Sequence, residues 1–155
     1  MQDALLWLAS GLGLGLSPWA PGTFGSLLGI PLAWWLLRYP PVKRWTVAAI
    51  LIVLAIPLCH WGSLWLGGGD MPPIVADEWV AMPLAVLAYP QVRRVPLLIA
   101  GYGLFRLFDI LKLPPVAQVE SLYGGVGIVA DDVVAAIYAA LVIGIALKLW
   151  RTFRA

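Results

Sequence analysis

The chain has 155 residues, enough for one domain and not for two, of which 62% are hydrophobic and only 12% charged. An ordinary soluble domain carries about twice that share of charge, and eighteen Asp, Glu, Lys and Arg side chains cannot cover its surface, so lipid must cover what water cannot. The net charge of +2 without a Lys/Arg run excludes a nucleic-acid footprint, and the single cysteine, Cys59, excludes an internal disulfide framework and a cysteine metal motif.

The first apolar segment, Ala4 to Leu16, is preceded by Met1-Gln2-Asp3. With no basic residue there, it does not read as a cleaved signal peptide. At about 1.5 Å per residue it is too short for a bilayer core of about 30 Å, and is expected to be an interfacial or re-entrant helix ending at Ser17-Pro18. Residues 17–23 hold Pro18, Pro21 and Gly22 and are expected to be non-helical. A helix from Phe24 to Leu37 follows, its Gly25 and Gly29 spaced for close helix contact. A basic turn (Arg38, Lys43, Arg44) leads to the clearest full span, Thr46 to Leu66.

The Gly/Pro-rich connection 67–73 contains Asp70, and a short helix is expected over 74–89, opening on Asp77-Glu78. After a second basic turn at Arg93-Arg94, residues 95–111 are apolar apart from Arg106 and Asp109 near the end. A loop over 112–125 precedes the last helix, 126–150, with Asp131-Asp132 early in it. These segments predict an all-α, multi-pass membrane bundle, one domain over residues 1–155, whose short or broken helices surround an interfacial polar site.

If the segments alternate across the bilayer, the basic turns and the C-terminal tail share one face. The Pro-Gly loop, Asp77-Glu78, Arg106, Asp109 and Asp131-Asp132 then converge near the other. Ionised groups at membrane depth are costly, about 2.5–3.5 kcal/mol each on the insertion scale, so they suggest function. Several carboxylates in one place need protons or a cation to neutralise them. Mg²⁺ suits oxygen ligands and keeps waters and phosphate in its shell. Arg106 and Lys112 suit a phosphomonoester of charge about −1.5 to −2. The segment Pro21 to Ser26, with Gly22 and Thr23, opens a helix whose free N–H groups favour an anion. Metal-assisted attack of water on phosphorus then needs no Cys or Ser nucleophile.

Four blocks carry a family resemblance: G-L-S-P-W-A-P-G-T-F-G-S (Gly15 to Ser26), I-V-A-D-E (Ile74 to Glu78), F-R-L-F-D-I-L-K (Phe105 to Lys112) and G-G-V-G-I-V-A-D-D (Gly124 to Asp132). In this order they resemble phosphatidylglycerophosphatase A. The resemblance implies an all-helical fold shared with soluble relatives, and the chain is expected in the bacterial cytoplasmic membrane. It also implies Mg²⁺-dependent removal of the terminal phosphate from phosphatidylglycerophosphate, a phospholipid substrate, to give phosphatidylglycerol. By position it makes Asp77, Glu78, Asp109, Asp131 and Asp132 metal-binding or water-activating, and Arg106 and Lys112 phosphate contacts. Ala81 and Leu113 depart from the family pattern, where Gly and Pro are usual.

Blander readings compete. Asp77-Glu78 suits any helix first turn, and Arg106 with Asp109 suits a structural ion pair. His60 and Cys59 read as core residues, the Trp residues as interfacial belt and packing, and Asp70 and Glu120 as loop charges. A small proton- or cation-coupled transporter is the rival function, since intramembrane acids also mark ion pathways; a homo-oligomer would supply the second half it lacks. Basic turns favour the cytoplasmic side, which sets the acids on the far face. A substrate made at the cytoplasmic leaflet places them there instead, and that is the expectation adopted.

Overall fold

A computed structural model describes residues 2–68, 71–122 and 124–154, with the side chains of Glu120 and Arg154 excepted. Asp70 lies outside the described residues. All regular structure within them is helical: α1 (Gln2–Ala9), α2 (Pro21–Ser26), α3 (Gly29–Leu36), α4 (Pro41–Leu66), α5 (Ala76–Ala81), α6 (Leu84–Leu87), α7 (Val95–Leu111), α8 (Val116–Glu120) and α9 (Gly125–Arg154).

Helix α9 is the axis. It packs against α4, α7, α5, α6 and α8, and runs antiparallel to α4 and α7, its start lying by their ends. At about 1.5 Å per residue, α4 and α9 extend about 39 and 45 Å, beyond a bilayer core of about 30 Å, whereas α7 reaches about 25 Å. Two helices, Pro41–Leu66 and the stretch Gly125–Phe153, are long and apolar enough to cross a membrane, with only 28% and 22% of their most apolar stretches buried. A soluble core helix would be mostly covered. Here Ile50, Val53, Leu54 and Trp61 on α4 and Ile137, Leu141 and Ile145 on α9 stand exposed, spaced as one outward stripe on each helix.

Between these long helices sits the buried α5–α6 segment, where Ala76, Ala81, Met82, Ala85, Val86 and Leu87 are fully enclosed. Short helices with interrupted backbone are tolerable at such depth because protein surrounds them. The approach is made by glycine. A Cβ on Gly25 would meet Val75 Cβ at 2.4 Å, and one on Gly29 would meet Met82 Cβ at 2.7 Å. The Gly25/Gly29 spacing therefore seats α2 and α3 on α5, as expected of small residues at helix contacts.

Several expected boundaries move. Residues 21–23 are helical, not irregular, because Pro21 occupies the first helical position, where its missing N–H costs nothing. The expected helix over 24–37 is two, broken at Leu27-Leu28, since Pro31 cannot donate to the carbonyl four residues back. Pro83 divides the expected 74–89 helix in the same way. Helix α4 begins at Pro41, five residues before the expected Thr46, with Pro40 extended before it; this draws Arg44 from the expected basic turn into a buried helical position. The first segment is α-helical only to Ala9, with a 3-10 turn at Leu14–Leu16: Ser10 Oγ donates to Trp7 O and accepts from Gly13 N, turning the chain. The expected 112–125 loop contains α8, started by Pro115, and α9 runs on to Arg154 rather than Trp150.

The glycines yield opposite expectations. Gly25→Ala should lower the melting temperature in detergent, because overpacking of about 1–3 kcal/mol exceeds the helix-propensity gain. Gly103→Ala, in mid-α7 with nothing within 4 Å of its Cβ position, should raise it. Equal melting temperatures for the two variants would contradict this packing.

Candidate active site

Helix α5 is only six residues long, and it brings two acids into the bundle on different sides. Adjacent residues on a helix point about 100° apart. Asp77 turns inward and is 3% exposed; Glu78 turns toward α7, where its Oε2 accepts from Arg106 Nη1 at 2.7 Å. The same Nη1 donates to Asp109 Oδ2, three residues along α7. Arg106 thus joins α5 to α7 through two carboxylates. Its Nε is buried with no hydrogen-bond partner.

Helix α9 supplies the opposite wall. Asp131 and Asp132 are 4% and 2% exposed. Asp131 Oδ1 accepts from the backbone N–H of Asp132 and its Oδ2 from Lys112 Nζ at 3.5 Å. Lys112 closes α7 in a left-handed conformation, φ 42°, which a residue with a Cβ adopts at a cost of about 1–2 kcal/mol. That turn is what carries its side chain back to Asp131. Tyr138 Oη, donating to Pro114 O, holds the following loop to α9. Asp132 lies within Coulombic reach of Asp77, Asp109, Glu78 and Asp131, and its Oδ1 is buried without a hydrogen-bond partner.

The start of α2 completes the cluster. A Cβ on Gly22 would lie 2.9 Å from Glu78 Cδ, and closer still to a carboxylate oxygen. Thr23 lies beside it, its carbonyl accepting from Tyr102 Oη at 2.8 Å. The structure therefore brings together all nine residues singled out in the sequence: Gly22, Thr23, Asp77, Glu78, Arg106, Asp109, Lys112, Asp131 and Asp132. One detail changes. The N–H groups of Thr23 and Phe24 donate to Ala20 O, so these two amides, expected to face an anion, are already engaged.

Sequence reading missed Tyr102. Tyr102 precedes Arg106 by one helical turn and shares its face, a spacing that marks it in retrospect. Ser26 is fully buried, and its hydroxyl donates to Gly22 O at 2.6 Å, tightening the turn below the site. His60 packs where α9 begins, its imidazole filling the space a side chain on Gly124 would need.

Five carboxylates against two cations leave a surplus of three negative charges if all ionise. The donors are all oxygen, as a hard divalent cation requires, and Asp132 offers a buried oxygen with no hydrogen-bond partner. Among the described residues, however, no three such side chains form a ready-made metal site, and Arg106 and Lys112 pair with Glu78, Asp109 and Asp131.

The profile of the phosphatidylglycerophosphatase A family matches residues 7–147. The chain belongs to that family. It is 36% identical over 135 residues to phosphatidylglycerophosphatase A of Escherichia coli K12, an alignment covering 86% of this chain and 77% of that one. The Haemophilus influenzae protein of the same name is 41% identical over 145 residues, covering 92% and 88%. A Bacteroides thetaiotaomicron protein provisionally named as a phosphatidylinositol-3-phosphatase is 39% identical over 147 residues, covering 90% and 91%. No solved structure matches.

Gly22→Ala should displace the Glu78 carboxylate from Arg106 and lower phosphate release from a lipid phosphomonoester by roughly tenfold or more. Tyr102→Phe, which removes one hydrogen bond worth about 0.5–1.5 kcal/mol, should lower it by about two- to tenfold. Both proteins should melt within a few degrees of the parent. Unchanged turnover in both would remove α2 from the site.

Proposed function

We propose that this chain is a phosphatidylglycerophosphatase: it removes the terminal phosphate of phosphatidylglycerophosphate, giving phosphatidylglycerol and inorganic phosphate. One observation carries the reading. Arg106, bridging Glu78 and Asp109 beside the buried Asp77, Asp131 and Asp132, makes a cluster whose charges suit a phosphate and a cation together. Family membership supplies the lipid. The relative named for a different phosphorylated lipid shows that related chains of similar length carry another substrate name. A coupled transporter is not favoured, because the family's named members are phosphatases.

Arg106 and Lys112 bind and orient the phosphoryl oxygens, Arg106 through a planar fork that Lys cannot reproduce. The carboxylates accept the proton of the attacking water. Its oxygen forms the new P–O bond as the bond to the glycerol oxygen breaks, and that oxygen takes a proton. A Mg²⁺ ion held by Asp77, Asp109, Asp131 and Asp132, with Glu78 beside them, would offset the excess negative charge and supply Lewis acidity toward the phosphoryl oxygens.

The bundle is read as a multi-pass protein of the bacterial inner membrane, crossed at least by α4 and α9, with the site at the cytoplasmic leaflet. Ser121→Cys and Tyr39→Cys, each in a Cys59→Ser background, test this with an impermeant thiol reagent. Only Tyr39→Cys should react from outside intact cells. Labelling of Ser121→Cys alone would move the site to the outer leaflet and leave the chemistry intact.

Mg²⁺ should be required for turnover, and a chelator should abolish it reversibly. Asp109→Asn and Asp132→Asn should each lose at least a hundredfold, and Arg106→Lys should impair turnover despite its charge, while Glu120→Gln stays near the parent value. Near-native, metal-dependent release by both Asn variants would refute the carboxylate mechanism.

A further inference from the structure

The end of the molecule away from the carboxylates has the opposite character. The segments 38–44, 93–94 and 148–154 carry eight of the chain's ten Lys and Arg and no Asp or Glu. There, between the first half of α7 and the last turns of α9, lies a cavity of about 520 Å³. Leu97, Leu104, Ile143 and Leu147 line its apolar length, and Arg94 and Trp150 stand at its basic end. A second cavity of about 230 Å³ adjoins it at Leu147, walled by Gln91, Lys148 and Arg151.

The shape follows from the helices. Gly101 lets Val86 press against α7, a Cβ there falling 2.5 Å from Val86 Cγ1, and Ala100 and Ala146 leave the space between α7 and α9 open. Volumes of about 300–1,000 Å³ are usual for ligand sites. The two halves ask for different chemistry: a hydrocarbon chain for one, an anion for the other. A free phosphate fills only the polar part, and a zwitterionic lipid brings its own cation to a rim that has three.

We propose that this groove is a second, non-catalytic lipid site, taking one acyl chain of an anionic glycerophospholipid between α7 and α9 with its phosphate against Arg94 and Arg151. Basic pockets between membrane helices select such headgroups. It is separate from the catalytic cluster: Arg94 stands three helical turns before Arg106 on α7, about 18 Å away. The proposal rests on α4 and α9 lying in a bilayer.

The test uses the full chain in phosphatidylcholine nanodiscs doped with phosphatidylglycerol carrying an acyl-chain diazirine, against phosphatidylcholine carrying the same chain. The anionic probe should cross-link residues 97–104 and 143–147 roughly tenfold more than the zwitterionic one. Arg94→Gln with Arg151→Gln, both exposed positions, should reduce that label to the zwitterionic level without changing phosphate release. Equal labelling by both probes would show an ordinary lipid shell and overturn the proposal, as would anionic labelling that survives the double substitution. If neither probe labels the outer stripes of α4 and α9, the membrane placement itself fails, and the groove proposal with it.

Discussion

The double ion pair of Arg106 with Glu78 and Asp109 is the interaction on which the rest of the site depends. A buried ion pair is a poor source of stability, because desolvating the charges cancels much of their attraction. Removing one partner is costly, since the others are then buried without compensation. The guanidinium joins α5 to α7, and it allows both helices to present a carboxylate inward. Everything nearby is shaped to permit this. Gly22 has no side chain where Glu78 needs room, Gly25 and Gly29 bring α2 and α3 onto α5, and Tyr102 ties Thr23 to the helix that carries Arg106.

Much of this was legible in the sequence because the signals were strong relative to the chain's composition. In a chain with so few charged residues, five carboxylates in three segments stand out, and the alternation of apolar segments placed them on one side. Helix α7 occupies the predicted 95–111 because Pro96 near its start and the loop prolines after it leave little choice. The proline effects were harder. Pro21, Pro41 and Pro115 start helices, whereas Pro31 and Pro83 divide them. Which role a proline takes depends on what precedes it and on whether tertiary packing satisfies the released carbonyl, and neither is written locally.

The site was read more fully than the boundaries. The nine residues came from charge, spacing and order, all local properties. Tyr102 was missed because an aromatic residue in an apolar helix looks like packing until a partner appears, and its partner is a carbonyl 79 positions away. The fate of the Thr23 and Phe24 amides was missed for a similar reason. A left-handed Ala20, φ 47°, points its carbonyl back at them, and alanine gives little warning of that conformation.

The arrangement also bears on which phosphates can enter. Arg106 gives one nitrogen, Nη1, to two carboxylates, so a phosphate that takes its other N–H groups shares the guanidinium charge with them. A monoester dianion brings a charge of about −1.5 to −2, comparable with the pair already beside Arg106; a phosphodiester brings one charge and competes poorly. The carboxylates beside a bound phosphate then need another counter-charge, which the proposed cation would provide. On this reading phosphate and cation enter as a coupled pair, each making the other's binding favourable, and a lipid left with only a phosphodiester no longer holds Arg106 against Glu78 and Asp109. The ion pairs of Arg106 with Glu78 and Asp109 thereby also favour release of the dephosphorylated lipid.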